Sequence, residues 1–294
     1  LSPAPPSLWG GDNRPAEASG SKVERHWNRA RIELHDDLFG EGFILPGGAK
    51  EVINLVTPIG ITSAATFLLV GAASGGAARV LAVQMGLWVR GFEAVPDLAE
   101  LGARRSRAAK LEKRATSEEW NPSEPAFGKQ AFHHALALTP LHGASADGVL
   151  SAIAKALKSD GHLVMLEVVA TLKLDPTDPI LQRWKELEQR VGELPTQEEI
   201  TRELERLGFD VRVSEDVTSR HISMVLAGWR KLVQGLHYRP DPGEAAVMVE
   251  EAERWMLRLR LMREGKLRMV RWHGIRWALP NISGAAVAGR SKPT

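Results

Sequence analysis

The stretch from Thr66 to Glu93 constrains this chain more than any other. An apolar run, Phe67-Leu68-Leu69-Val70, stops at Gly71, and two further glycines follow at Gly75 and Gly76. An alanine-rich segment with helical spacing comes next (Ala78, Val80, Leu81, Val83, Gln84, Met85). A second apolar run, Leu87-Trp88-Val89, ends in Gly91-Phe92-Glu93. The order is strand, glycine turn, helix, strand, acid. In a parallel sheet such a turn lies at the carboxyl edge, where glycines let the backbone approach a nucleoside-type ligand and the acid accepts from both ribose hydroxyls. Gly75 or Gly76 is therefore expected where a Cβ would strike the ligand or force an unfavourable φ. The glycines do not follow the GxGxxG spacing, and such a turn can equally be a plain connection between a strand and a helix.

The chain has 294 residues, enough for one large domain or a domain plus a lobe. It is 44% apolar and 25% charged, as in ordinary globular proteins. Net charge is +2, from 38 basic and 36 acidic residues, which gives no reason to expect a nucleic-acid partner. Cysteine is absent, which excludes disulfides, thiol nucleophiles and cysteine zinc sites. Its absence fits a reducing, cytoplasmic compartment. No apolar run reaches the ~18 residues of a membrane span. No metal is expected: His133 and His134, as neighbours on a strand, point to opposite faces and cannot chelate one ion.

Residues 1–22 are rich in Pro, Gly, Ser and Ala and read as a disordered leader. A charged helix is expected over Glu24 to Leu38, then a glycine-rich segment, Phe39 to Gly48, and a helix to about Thr57. Beyond the glycine turn, Pro96 to about Arg114 reads as a helix and Thr116 to Gly128 as a polar loop. Gln130 to Leu138 reads as a strand, and Val149 to Lys158 as a helix closed by Ser159-Asp160-Gly161. A strong apolar strand follows over His162 to Val169. Helices are expected at Ile180 to Val191, after the Thr196-Gln-Glu-Glu199 capping box, and over Val217 to Leu236 and Glu244 to Glu264. Phe209 to Val213 and Arg268 to Leu279 alternate as strands, the latter expected to close the sheet. Strands alternating with helices imply an α/β fold with a doubly wound, mainly parallel sheet.

Several of these stretches, in order, resemble one family. Phe39-Gly40-Glu41-Gly42-Phe43-Ile44-Leu45-Pro46-Gly47-Gly48 resembles the cap segment of the phosphoethanolamine methyltransferases. The glycine turn resembles motif I of class I S-adenosylmethionine-dependent methyltransferases, with Leu69 at its acid and Ala73 at its middle glycine. Gly91-Phe92-Glu93-Ala94, the Lys155 to Gly161 turn with its strand, Gly208-Phe209, and Trp255 to Trp272 are similar to later family features. The resemblance covers roughly residues 26 to 278. It implies an N-terminal cap over residues 23–57 and a Rossmann-like domain over 58–280. That domain would carry helical insertions at about 172–207 and 217–264, with a flexible tail at 281–294.

The resemblance also implies site residues. Glu93 takes the position of the ribose-binding acid, and Gly71, Ala73, Gly75, Gly76 and Ala94 line the cofactor turn. Ile44 falls on a cap residue touching the cofactor, and Glu118 or Glu119 on the adenine edge. Arg190 falls on an arginine that contacts substrate phosphate, a role suited to its guanidinium fork. The family's catalytic tyrosine is replaced by Trp27, which would supply an apolar wall whose π face attracts the sulfonium. His142 is the nearest candidate base. The implied activity is methyl transfer from S-adenosylmethionine to a small-molecule amine, hydroxyl or activated carbon. The substituted positions Leu69, Ala73 and Gln130, the last where the family has an acid at the start of the fourth strand, keep open a non-catalytic partner or scaffold subunit of the same fold. A nucleotide-dependent oxidoreductase is disfavoured by the glycine spacing.

Overall fold

The computed structural model describes residues 27–237 and 240–277. The expected leader over 1–22, the expected tail over 281–294 and Tyr238, the chain's single tyrosine, lie outside the described residues, as do 23–26 of the expected cap and 278–280 of the expected domain. Seven strands form one sheet: β1 (Thr66–Val70), β2 (Trp88–Glu93), β3 (Ala115–Glu119), β4 (Phe132–Leu138), β5 (Leu157–Ala170), β6 (Phe209–Asp216) and β7 (Leu267–Arg276). Their order is β3-β2-β1-β4-β5-β7-β6. β1 to β5 pair in parallel, and β7 runs antiparallel to both β5 and β6.

The helices are α1 (Arg29–Phe39), α2 (Gly48–Val56), α3 (Gly76–Gln84), α4 (Pro96–Ala108), α5 (Ala146–Ala156), α6 (Pro179–Glu188), α7 (Gln197–Arg206), α8 (Thr218–Gly235) and α9 (Pro242–Arg263). Alternation along the strands divides the core. Phe67 and Leu69 of β1, with Leu136, Val164 and Met269, pack against Leu55, Leu81 and Leu261 of α2, α3 and α9. Leu68 and Val70, with Ala135, Met165 and Trp272, pack against Val149 and Ile153 of α5 and Ile200 of α7. A strand covered on both faces needs an unbroken apolar sequence, and this is why β1 reads Phe-Leu-Leu-Val.

Three expectations are corrected. The polar loop expected from Thr116 is in part β3, an edge strand paired only with β2, and a one-sided edge tolerates the sequence Ala-Thr-Ser-Glu-Glu. The expected turn at Ser159-Asp160-Gly161 lies inside β5 as an irregularity: Phe132 pairs with Leu157 and His134 with His162, and Asp160 takes φ 61°. The last strand does not close the sheet. β7 is inserted between β5 and β6, leaving β6 at the edge.

Chain order reverses between β1 and β4. Both strands end at the same edge, opening a crevice bounded by Gly71 after β1 and Thr139 after β4.

Candidate active site

The glycine loop is built by backbone geometry. Gly71 takes φ 78°, and a Cβ there would stand 2.1 Å from the Leu138 carbonyl oxygen, so only glycine fits beside β4. Ala73 also has positive φ, at 49°. Its N–H donates to Glu93 Oε2 at 2.7 Å, and the Val95 N–H donates to Glu93 Oε1 at 3.1 Å. The Glu93 carboxylate thus ties the loop after β1 to the turn after β2. Burial at 6% exposure raises the Glu93 carboxyl above its usual range, and the donors from Val95 and Ala73 work against that rise. Each carboxylate oxygen still has lone-pair capacity for a hydroxyl.

A cap closes this loop. Gly76, the first residue of α3, donates its N–H to the Gly42 carbonyl at 3.1 Å. The Gly42 N–H in turn donates to Asp36 Oδ1 at 2.7 Å. Arg105 pairs with Asp36 and donates to Ser74 Oγ at 2.7 Å, while Arg79 pairs with Glu41 at 3.0 Å. A Cβ on Gly76 would meet the Phe43 ring at 2.7 Å and the Glu41 carbonyl at 2.8 Å. The expectation that Gly76 clears room for a ligand is therefore corrected: it clears room for the cap. Gly75 holds φ 83° as the N-terminal cap of α3. With the first N–H of α3 spent on Gly42, this helix start does not present the open diphosphate seat of a dinucleotide fold.

Beside the loop a cavity opens. Trp27, Ile44, Gly71, Glu93, Ala94, His142 and Arg190 all line it, so these sequence candidates come together from six separate segments. Ala73, Ile44 and Gly71 line a smaller adjoining cavity. Gly75, Gly76, Glu118 and Glu119 line neither. Glu118 pairs with Arg90 on the outer strands at 2.8 Å. In its place Trp120, just beyond β3, reaches the cavity wall, packed on Phe127.

The far wall carries charges that sequence reading missed. Glu251 of α9, 1% exposed, accepts from Arg31 Nε at 2.8 Å and faces His35 Nε2 at 2.9 Å, both on α1, and also pairs with Arg254. Glu188, at the end of α6, pairs with Arg258. Burial opposes ionisation of Glu188, but Arg258 and Arg190 outweigh it and hold the carboxyl at about 2. Arg190 stands 3.5 Å from Glu167, a fully buried acid on β5 whose carboxylate accepts the Leu141 and Val168 N–H groups. His142 is pushed down to about 4 by burial and by Arg190, so its imidazole is neutral at pH 7. Arg31 lies 3.9 Å over the Trp27 ring, so that π face holds a guanidinium.

Four arginines and two carboxylates, Glu188 and Glu251, face the cavity besides Glu93. Within this wall the Nε atoms of Arg190 and Arg258 and the indole N–H groups of Trp120 and Trp255 are buried without a hydrogen-bond partner. Buried donors are nearly always satisfied, and these four belong to residues that line the cavity, where acceptor atoms of a ligand could meet them. The signal available in sequence was the Arg254-Trp255 and Arg258 spacing on one helix face, which reads equally as a solvated helix.

No protein-family model matches the chain, and no curated protein matches it. Solved structures do. Phosphoethanolamine N-methyltransferase 2 of Haemonchus contortus, with bound S-adenosyl-L-methionine, superposes with TM-score 0.76 at 19% identity, covering 90% of this chain and 62% of that one. In a second structure of that enzyme, with phosphomonomethylethanolamine and S-adenosylhomocysteine, this chain spans 57% of its length. Geranyl diphosphate C-methyltransferase of Streptomyces coelicolor A3(2) gives 0.64 at 16% identity, covering 89% of this chain and 100% of that one. The [4+2]-cyclase SpnF gives 0.63 at 18% identity, covering 85% and 94%. The chain has the Rossmann-like class I methyltransferase fold. Among the described residues no helix is long and apolar enough to cross a membrane.

Proposed function

We propose that this chain is an S-adenosylmethionine-dependent methyltransferase whose acceptor is a small molecule bearing an anionic group. The observation that carries the reading is one cavity at the reversal point of the sheet. It joins the Glu93-braced glycine loop to unpaired donors on Arg190, Arg258 and Trp255. The loop side fits the cofactor. Glu93 has an acceptor pair for ribose hydroxyls, Ile44 and Trp120 supply apolar walls, and Gly71 lets the backbone approach. The arginine side fits a phosphate or carboxylate, which guanidinium forks and indole N–H groups recognise. S-adenosylmethionine, when bound, would supply a methyl group carried on its sulfonium sulfur. The chain's contribution is alignment, exclusion of water by the cap, and removal of a proton from an acceptor that carries one. A cytoplasmic location is part of the proposal, resting on the absence of cysteine.

Related structures include a methyltransferase acting on a diphosphate and a cyclase, so the fold leaves the chemistry to the site. A non-catalytic reading has one observation in its favour. Leu69, at the position of the motif's acid, is fully buried in the core and offers no polar group to the cofactor. Calorimetry with S-adenosylmethionine, followed by transfer of a labelled methyl group to phosphoethanolamine and sarcosine, separates the two. Binding with transfer supports the enzyme, and binding without transfer to any small molecule supports the scaffold.

A further inference from the structure

Two histidines line the cavity, and they are held differently. Burial and Arg190 act on the His142 ring, Glu188 acts against them, and among the described residues no carboxylate hydrogen-bonds it. His35 is fixed from three sides. Its Nε2 lies 2.9 Å from Glu251 Oε1, and its ring packs edge-on to Trp27 at 4.9 Å and to Phe39 at 5.6 Å. Glu251 is itself ionised well below the usual carboxylate range: burial opposes this, and the Arg31 and Arg254 guanidiniums are among the groups that overcome it. An ionised carboxylate can only accept, so it selects the tautomer with the proton on Nε2. Nδ1 is buried without any partner, and in the neutral ring it is a bare acceptor. A cavity-lining histidine oriented by a buried carboxylate, with an unpartnered second nitrogen, is the arrangement of a base and its orienter.

We propose that His35 Nδ1 is the general base of this site and that Glu251 is its positioning residue. The inference rests on the methyltransferase reading. An acceptor anchored by its anionic group on Arg190 and Arg258 gives an N–H or O–H proton to Nδ1. The freed electron pair forms the new bond to the methyl carbon. The carbon–sulfur bond breaks with its pair left on sulfur, giving the neutral thioether. The imidazolium charge created on His35 faces the Glu251 carboxylate. The two residues are 216 positions apart, one in the cap and one in the last helix, so the base exists only when the cap is seated. The acceptor class is thereby narrowed to amines and hydroxyls that carry a proton at the reacting atom.

The test uses the full chain. In nitrogen-detected NMR at pH 7, His35 shows a protonated Nε2 and an unprotonated Nδ1, and this pattern is lost in Glu251→Gln. His35→Gln keeps an N–H donor for Glu251 but has no base. It lowers methyl transfer to phosphoethanolamine or sarcosine by roughly 10²–10⁴, while the Kd for S-adenosylmethionine stays within about twofold of wild type, a tolerance far below the tenfold per 1.4 kcal/mol of a lost contact. His162→Asn, at the opposite edge of the sheet, keeps wild-type turnover. Added imidazole restores part of the turnover of His35→Ala, which a purely structural role would not allow. Full activity in His35→Gln, a proton on Nδ1, or a loss confined to His142→Gln overturns the assignment and leaves the methyltransferase reading standing. A wild type that binds cofactor yet labels neither probe nor any component of a small-molecule extract overturns both.

Discussion

The two walls of the cavity are made by different means. The cofactor wall comes from a contiguous stretch, Gly71 to Val95, and its key interactions run through backbone: Ala73 and Val95 N–H to Glu93, and Gly71 against Leu138. The acceptor wall is made of long charged side chains from α1, α6 and α9, drawn from positions up to 220 residues apart. Backbone geometry needs glycines at fixed places, whereas a side-chain wall can be rebuilt by changing residues on rigid helices. On the proposed function, the first wall sets the fold's general capacity, and the second sets what this chain selects.

The largest effect is expected on the acceptor wall. Glu251→Leu removes the buried carboxylate shared by Arg31, Arg254 and His35, while Arg254 keeps its pair with Glu250. It should cost about 3–5 kcal/mol in urea unfolding. A cost near zero would show that this network is exposed in solution and the contrast between the walls is false. On the cofactor wall, Gly76→Val drives side-chain atoms into the cap backbone at Glu41 and Gly42, at a cost of up to about 3 kcal/mol. Limited proteolysis should then cut near residue 42, where wild type resists. Resistance equal to wild type would mean that the cap does not rest on the loop.

These two walls were unequally legible. The strand, glycine turn, helix, strand and acid were readable because each is a local signal: apolar runs, a turn residue and a charge at a strand end. Arg190, Ile44 and Trp27 came only through resemblance, and the structure brings all three to the cavity. Arg31, His35, Glu188, Glu251 and Arg258 were unreadable, because a charge on a helix looks solvated until a distant partner buries it. Glu118 misled for a related reason. Its neighbour Trp120 was one position beyond the strand end that the expected loop had hidden, so β3 and the cavity wall were missed together.

Smaller effects sharpen the contrast. His221, buried behind Trp255, is pushed down to about 3 by burial and by Arg258, and its Nε2 has no partner. The folded chain keeps it neutral while the unfolded chain protonates it near pH 6.5, so its presence costs stability as pH falls through that value. Between pH 7 and pH 5 the loss amounts to about 2 kcal/mol. The fall in melting temperature over that range should be smaller in His221→Phe than in wild type, and an equal fall would remove this residue from the charged wall's pH response. Least affected should be Glu118→Ala. Its pair with Arg90 is exposed and worth under about 1 kcal/mol, and cofactor affinity should stay within about twofold, well short of the tenfold that 1.4 kcal/mol gives. A larger fall would restore Glu118 to the cofactor site.

The central claim is that the Glu93-braced loop binds S-adenosylmethionine. Isothermal titration of S-adenosylmethionine into wild type and Glu93→Ala tests it most directly. Two hydrogen bonds to a charged acceptor are worth about 1.5–3 kcal/mol each, so the variant should bind more than about tenfold more weakly. Saturable heat in wild type with that loss in Glu93→Ala is the predicted result. No saturable heat in wild type, or equal Kd values for the two proteins, would contradict the account.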